Sequence, residues 1–156
     1  MPEVFDLSNL RYLVSKTDSD AVILVDTNVL MDYPRVKKWQ NDFREPIFVV
    51  SNVVDDELGV LRHGADSKKR VKAIKAQNEL EHLTRYGDAR KGKQIKDVGW
   101  LIKLKPPLAP QLTKELIGLG SMSGTKSTAD KILLLAYNKL AESFRNNTKV
   151  IFLTND

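Results

Sequence analysis

The chain predicts an α/β fold, a three-layer α/β/α sandwich around a central parallel sheet. Three short apolar and β-branched runs, "AVILV", "IFVVS" and "KVIFLTND", are too brief for helices and read as buried strands. Between them lie longer stretches in which apolar residues recur at helical spacing. Strands alternating with helices argue for a parallel sheet. At 156 residues the chain is one domain, long enough to bury a proper core, and neither an internal repeat nor a second domain is visible.

Residues 1–20 form a lead-in with a helix expected over 7–14. The strand at 21–25 stops on Asp26. A short helix starts at Asn28 and is interrupted by Pro34, with a further helix expected over 36–43. Pro46 leads into the second strand, 47–51, and a helix follows over 53–61 with Ser51 or Asn52 as its N-cap. Ser67 opens a long helix reaching about residue 86. Lys68, Lys72 and Lys75 share one of its faces, while Val71, Ile74, Leu80 and Leu83 mark an apolar side. Residues 87–96 read as a polar, basic connector and 100–104 as an edge strand. Proline and then glycine and serine dominate 105–127, which reads as loop around one short helix within an inserted region spanning 87–126. The helix expected over 128–144 is apolar nearly all round and therefore central. The third buried strand is expected at 149–156.

Composition excludes several classes of protein. The chain has no cysteine, so it is neither a disulfide scaffold nor a cysteine-based zinc protein. No apolar run approaches the roughly 18–20 residues of a membrane span. The first residues lack the basic-then-apolar order of a signal peptide. A cytoplasmic location with no membrane partner is the expectation. The net charge of +5 is unevenly placed. Residues 62–96 hold eleven Lys/Arg against four Asp/Glu, a local +7 that leaves −2 for the rest. One basic segment on a slightly acidic protein suits a polyanionic partner, although a solvated helix face has the same composition.

The acids stand at informative places. Asp26 and Asp156 each end a predicted strand, Glu57 lies in the helix after the second strand, and Asp130 sits in the first turn of the 128–144 helix. In a parallel sheet, strand ends and the starts of the following helices share one edge. Four carboxylates from distant segments are thereby aimed at one place, where their mutual repulsion calls for cations or protons. Hard oxygen ligands suit Mg²⁺ or Mn²⁺, ions that bind phosphate oxygens, acidify water and offset charge at a phosphoryl transition state. Each acid also has a plainer reading. Ser127-Thr128-Ala129-Asp130 spells a capping box, Asp55 and Asp56 are first-turn acids beside Glu57, and Asp156 can be a turn residue.

The segments "VILVDTNVLMD", "IFVVSNVVDDELGVL", "STADKILLLAYNKL" and "KVIFLTND", in this order, resemble the PIN-domain nucleases from residue 21 to 156. The long basic region after Glu57 and the insertion before Asp130 are most similar to the PIN module found ahead of a PhoH-type ATPase domain. The resemblance implies that Asp26, Glu57, Asp130 and Asp156 coordinate Mg²⁺ or Mn²⁺, supported by Thr27, Asn28, Thr154 and Asn155. It implies metal-dependent hydrolysis of single-stranded RNA leaving 5′-phosphate and 3′-hydroxyl ends. The expected partners are that RNA, a C-terminal PhoH-type ATPase domain and further copies of the chain. Such folds usually continue past the "TND" turn, so the C-terminal part of this one looks cut short. Asp55 and Asp56 leave the second-strand ligand ambiguous, with the "EL" context favouring Glu57.

Lys68, Lys69, Arg70, Lys72 and Lys75 are the expected RNA-backbone contacts. Tyr33, Trp39, Tyr86 and Trp100 are equally stacking platforms or core. "GSMSGTKS" fails the P-loop register, because Thr125 separates Gly124 from Lys126. The "DTN" step lacks the second aspartate of a D-x-D phosphatase, and of the two histidines, His63 and His82, the first reads as a surface residue. Two alternatives to an endoribonuclease stand: a non-catalytic RNA-binding or oligomerising module, and a metal-dependent phosphatase.

Overall fold

The computed structural model describes residues 5–104, 128–144 and 148–154. Its five strands are β1 (Ala21–Val25), β2 (Ile47–Val50), β3 (Lys93–Ile95), β4 (Gly99–Lys103) and β5 (Lys149–Leu153). They form one sheet of order β3-β4-β2-β1-β5, in which β4, β2, β1 and β5 run parallel and β3 pairs antiparallel with β4. Around it lie the helices α1 (Ser8–Lys16), α2 (Thr27–Asp32), α3 (Asn52–Leu61), α4 (Ser67–Thr84) and α5 (Thr128–Ser143). The protein is therefore an α/β structure on a mostly parallel sheet.

Every residue of β1 is buried, as its unbroken apolar run requires of a strand paired on both sides and covered on both faces. Val22 lies opposite Ile47 of β2 and Val150 of β5, and Val25 opposite Leu153. α2 begins directly at the end of β1 and starts the return crossover to β2 that a parallel pairing demands. Ser51 caps α3 by accepting a hydrogen bond from the Val53 N–H at 3.3 Å, and Asp66 caps α4 through the N–H groups of Lys68 and Lys69.

Several expectations need correction. The helix expected over 36–43 is only a 3₁₀ turn, Val36–Lys38. "WQNDF" beyond it has no helical apolar stripe, and the Asn41 side chain accepts from the Phe43 N–H in a local turn that competes with helix. The connector at 87–96 contains β3, so β4 is an interior strand and not the edge. On α4 the buried stripe is Ala73, Ala76, Leu80 and Leu83, whereas Val71 is exposed. Val71 lies nine residues before Leu80, which is about half a turn out of phase on a helix. β5 is half-buried rather than buried, because among the described residues it is an outer strand. The helix at 128–144 buries Leu133, Leu135, Ala136 and Leu140 but exposes Asp130 and Asn138, so it is amphipathic. The loop and short helix expected within 105–127, with Lys126, and the end of the third strand lie outside the described residues.

Gly99 makes the interior position of β4 attainable. Its φ is +150°, and a Cβ there would stand 2.3 Å from the Pro46 carbonyl oxygen. That same carbonyl accepts the Trp100 N–H at 2.8 Å, at the start of the β2–β4 pairing. Replacing Gly99 with alanine should cost about 2 kcal/mol or more, since backbone has to move. A thermal melt should show a Tm lower by roughly 4 °C or more, and an unchanged Tm would contradict this packing.

Candidate functional site

The strand order reverses at β1: the chain proceeds from β1 to β2 and β4 on one side, while β5 lies on the other. Clefts at such reversals, outside the carboxyl ends of the strands, are where open α/β sheets bind ligands. Asp26 and Thr154 occupy this point, immediately after β1 and β5. The Asp26 N–H donates to the Leu153 carbonyl at 3.0 Å, extending the ladder by one step. The Thr154 hydroxyl donates to Asp26 Oδ2 at 3.1 Å.

Asp26 is only 8% exposed. Its Oδ1 accepts the Thr27 N–H at 2.7 Å, so it is also the N-cap of α2. Thr27 is almost wholly buried and donates its hydroxyl to Glu57 Oε1 at 2.9 Å. Two consecutive residues thus join β1, α2, α3 and the end of β5. Asn28, expected to support the site, projects from the exposed side of the first turn of α2.

Glu57 shows how acidic the place is. Burial pushes its pKa above the ordinary glutamate value; the Thr27 hydrogen bond pulls the other way, and the charges of Asp130 and Asp26 push it up again. Glu57 of α3 therefore feels two of the other predicted acids, Asp130 of α5 and Asp26 at the end of β1. Asp55 instead pairs with Lys103 of β4 at 3.4 Å, and Asp56 is exposed. Of the three neighbouring acids, Glu57 is the one that faces Asp26 and Asp130. Asp156 and Asn155 lie outside the described residues.

The donors present, two aspartates and a glutamate with no paired Lys or Arg at Glu57 among the described residues, have the hard-oxygen character that suits Mg²⁺ or Mn²⁺. Among the described residues, however, no three His, Cys, Asp or Glu side chains are drawn together closely enough to hold a metal ion. The acids fit such an ion by chemistry and by their shared sheet edge, not as a closed ligand set.

The expected RNA contacts lie on α4. Lys68 and Lys69 are exposed, whereas Arg70 reaches back to the Gly64 carbonyl at 3.0 Å. Lys72 pairs with Asp32 at 2.8 Å, fastening α4 to the far end of α2. Lys75 is exposed and borders a small cleft against residues 33–39. A larger cavity of about 520 Å³ lies over the sheet face formed by Ile23, Phe48, Ile151 and Leu153 and has no carboxylate, histidine or cation in its lining. His63 and His82 are exposed. Sequence reading missed the Lys72–Asp32 and Lys103–Asp55 pairs, which join segments with no common pattern, and the cations of "PRVKK", whose density was a usable signal.

No family model matches the chain, and comparison with curated proteins gives no significant match.

A carboxylate whose pKa is raised by folding binds protons more tightly in the folded state, so stability falls as pH rises from the ordinary glutamate value through the raised one. In cation-free buffer Glu57→Gln should therefore melt above the parent chain at about pH 7.5, with the gap closing towards about pH 4. Melts across this range decide it: a variant that is less stable at neutral pH, or a gap independent of pH, would refute the electrostatic account.

Proposed function

We propose that the protein is a metal-dependent endoribonuclease of PIN type that hydrolyses phosphodiesters of single-stranded RNA. The observation that carries this reading is the placement of Glu57 at the carboxyl edge of the sheet, bonded to the residue after Asp26, where burial first and the charges of Asp130 and Asp26 after it raise its pKa. The fold is compatible with the three-layer α/β/α arrangement of that superfamily, and the order of the acids along the chain supports it. Asp26, Glu57 and Asp130 would hold the ion, with Asp156 as the fourth ligand carried by the resemblance. A bound Mg²⁺ or Mn²⁺ would supply acidified water and neutralise charge developing on the scissile phosphate.

The chain's own residues define the rest. Thr27 and Thr154 orient Glu57 and Asp26 through their hydroxyls, leaving the remaining carboxylate lone pairs for a cation. The Thr27 N–H and the buried setting of Asp26 keep that carboxylate in one position. Cations on α4 draw the RNA backbone without reading its sequence.

A second reading has one observation in its favour: the carboxylates are not gathered into a metal-holding group. The protein would then be a non-catalytic RNA-binding or oligomerising module serving a PhoH-type ATPase. Cleavage of labelled single-stranded RNA in Mn²⁺ separates the two. Asp26→Asn should lower the rate by more than the roughly 10- to 100-fold typical of an outer-shell partner, while Thr27→Val should fall inside that range. RNA affinity should persist in both. Should the parent chain fail to cleave while binding RNA, the module reading holds instead.

A further inference from the structure

We propose that the cleft between residues 33–39 and α4 is a subsite for one nucleotide unit of a single-stranded nucleic acid, with Arg35, Lys38 and Lys75 on phosphate and Tyr33 stacking a base. The choice of nucleic acid as ligand rests on the nuclease reading above; the cleft itself does not. It is a cavity of about 270 Å³ lined by Tyr33, Pro34, Arg35, Lys38, Trp39 and Lys75. That volume lies just below the roughly 300–1,000 Å³ of ordinary ligand sites, so it suits one nucleotide unit rather than a larger ligand.

Three observations point to an anion with an aromatic companion. First, none of the three cations has a carboxylate partner among the described residues, in contrast to Lys72 and Lys103. Like charges gathered round one small concavity repel until an anion enters. Second, Tyr33 is 61% exposed and lines the same cleft, which sets an aromatic ring beside the charges. Base–aromatic stacking next to cations is how sequence-tolerant single-strand binders work, and a paired duplex could not present a base in this way.

Third, the exposed ring stands on a held backbone. The Tyr33 N–H donates to the Val29 carbonyl at 2.8 Å, closing α2, and Trp39 Nε1–H donates to the Tyr33 carbonyl at 3.0 Å. Trp39 packs edge-on against Phe48 with ring centroids 5.1 Å apart, and Val36 is fully buried. A prearranged platform of this kind loses little freedom on binding. Its place is also apt. α2 has Asp26 at its start and leads into Tyr33 at its end, and its six residues span about 9 Å. A strand held at Tyr33 would reach the acids within a few nucleotides.

The test is fluorescence anisotropy of the full chain with a labelled single-stranded RNA of about ten nucleotides in EDTA, so that binding is read apart from cleavage. Arg35→Ala/Lys38→Ala/Lys75→Ala should weaken affinity at least about tenfold and flatten the dependence of log K on log salt by about 2, from three contacts at roughly 0.7 each. Tyr33→Ala should weaken it about tenfold and Tyr33→Phe should restore it, because the ring and not the hydroxyl stacks. Lys37→Ala, outside the lining, should change little. These positions are exposed or on the surface turn, and thermal melts of each variant would register any loss of folding.

Parent-like affinity and salt slope in the triple variant would overturn the proposal, as would a parent chain that binds no RNA. An inert Tyr33→Ala, with poly-glutamate competing as well as RNA, would reduce the cleft to a generic anion surface and overturn it too. Failure of the nuclease reading looks different: binding with these dependences, but no cleavage in Mn²⁺.

Discussion

Burying a carboxylate at the end of an apolar strand is the constraint on which the rest of the molecule is arranged. β1 is excluded from water along its whole length, and Asp26 follows it with no exposed residue between. An ionised carboxylate in such a place is costly unless its oxygens are hydrogen-bonded. The Thr27 N–H and the Thr154 hydroxyl do this, one from the helix that follows and one from the neighbouring strand. The second bond depends on register: Val25 opposite Leu153 places Asp26 beside Thr154. A slip of one residue would reverse the faces of β5 and withdraw that hydroxyl. Thr27 passes the constraint onward to α3 through Glu57.

Charge of opposite sign is sorted along α2. Carboxylates crowd its first residue, and cations surround its last, where Lys72 grips Asp32 and Arg35, Lys38 and Lys75 border the adjacent cleft. The two ends are complementary in use. The acidic end repels a phosphodiester unless a cation stands between them, whereas the basic end attracts the same backbone directly. If RNA is the ligand, as proposed, the cations would favour it first and the carboxylates only once they are neutralised.

How far the sequence was legible follows from which forces are local. The strands at 21–25 and, one residue too long, 47–51 were visible because burial on both faces leaves an uninterrupted apolar run, and Ser51 or Asn52 signalled the start of α3, Ser51 being its cap. β3 was not visible. Lys93, Gln94 and Ile95 form a strand only because β4 offers partners across a turn in which Asp97 and Gly99 take positive φ. The position of β4 inside the sheet was invisible for the same reason. The stripe of α4 was misplaced because Val71 outweighs Ala73 and Ala76 in apolarity, although two alanines allow the closer helix contact. Among the described candidate residues, Asp26 and Thr154 do fall side by side at one sheet edge, since a parallel sheet delivers strand ends there whatever else it does. Ion pairs across the surface depend on geometry that no spacing encodes.

The choice among Asp55, Asp56 and Glu57 is a matter of helical phase. Ser51 sets the start of α3, and Val53, Val54 and Leu58 are then its buried residues. Glu57 is four residues beyond Val53 and next to Leu58, so it borders the buried stripe and meets Thr27. Asp56 falls in solvent, and Asp55 on the flank where Lys103 compensates it. Asp55 is thus compensated by a cation, whereas Glu57, half-buried near Asp26 and Asp130, has a hydroxyl as its partner and a raised pKa. A titratable group held at a cost to stability is the kind that function retains. The cost at Glu57 is electrostatic, and a cation entering between these carboxylates would relieve it.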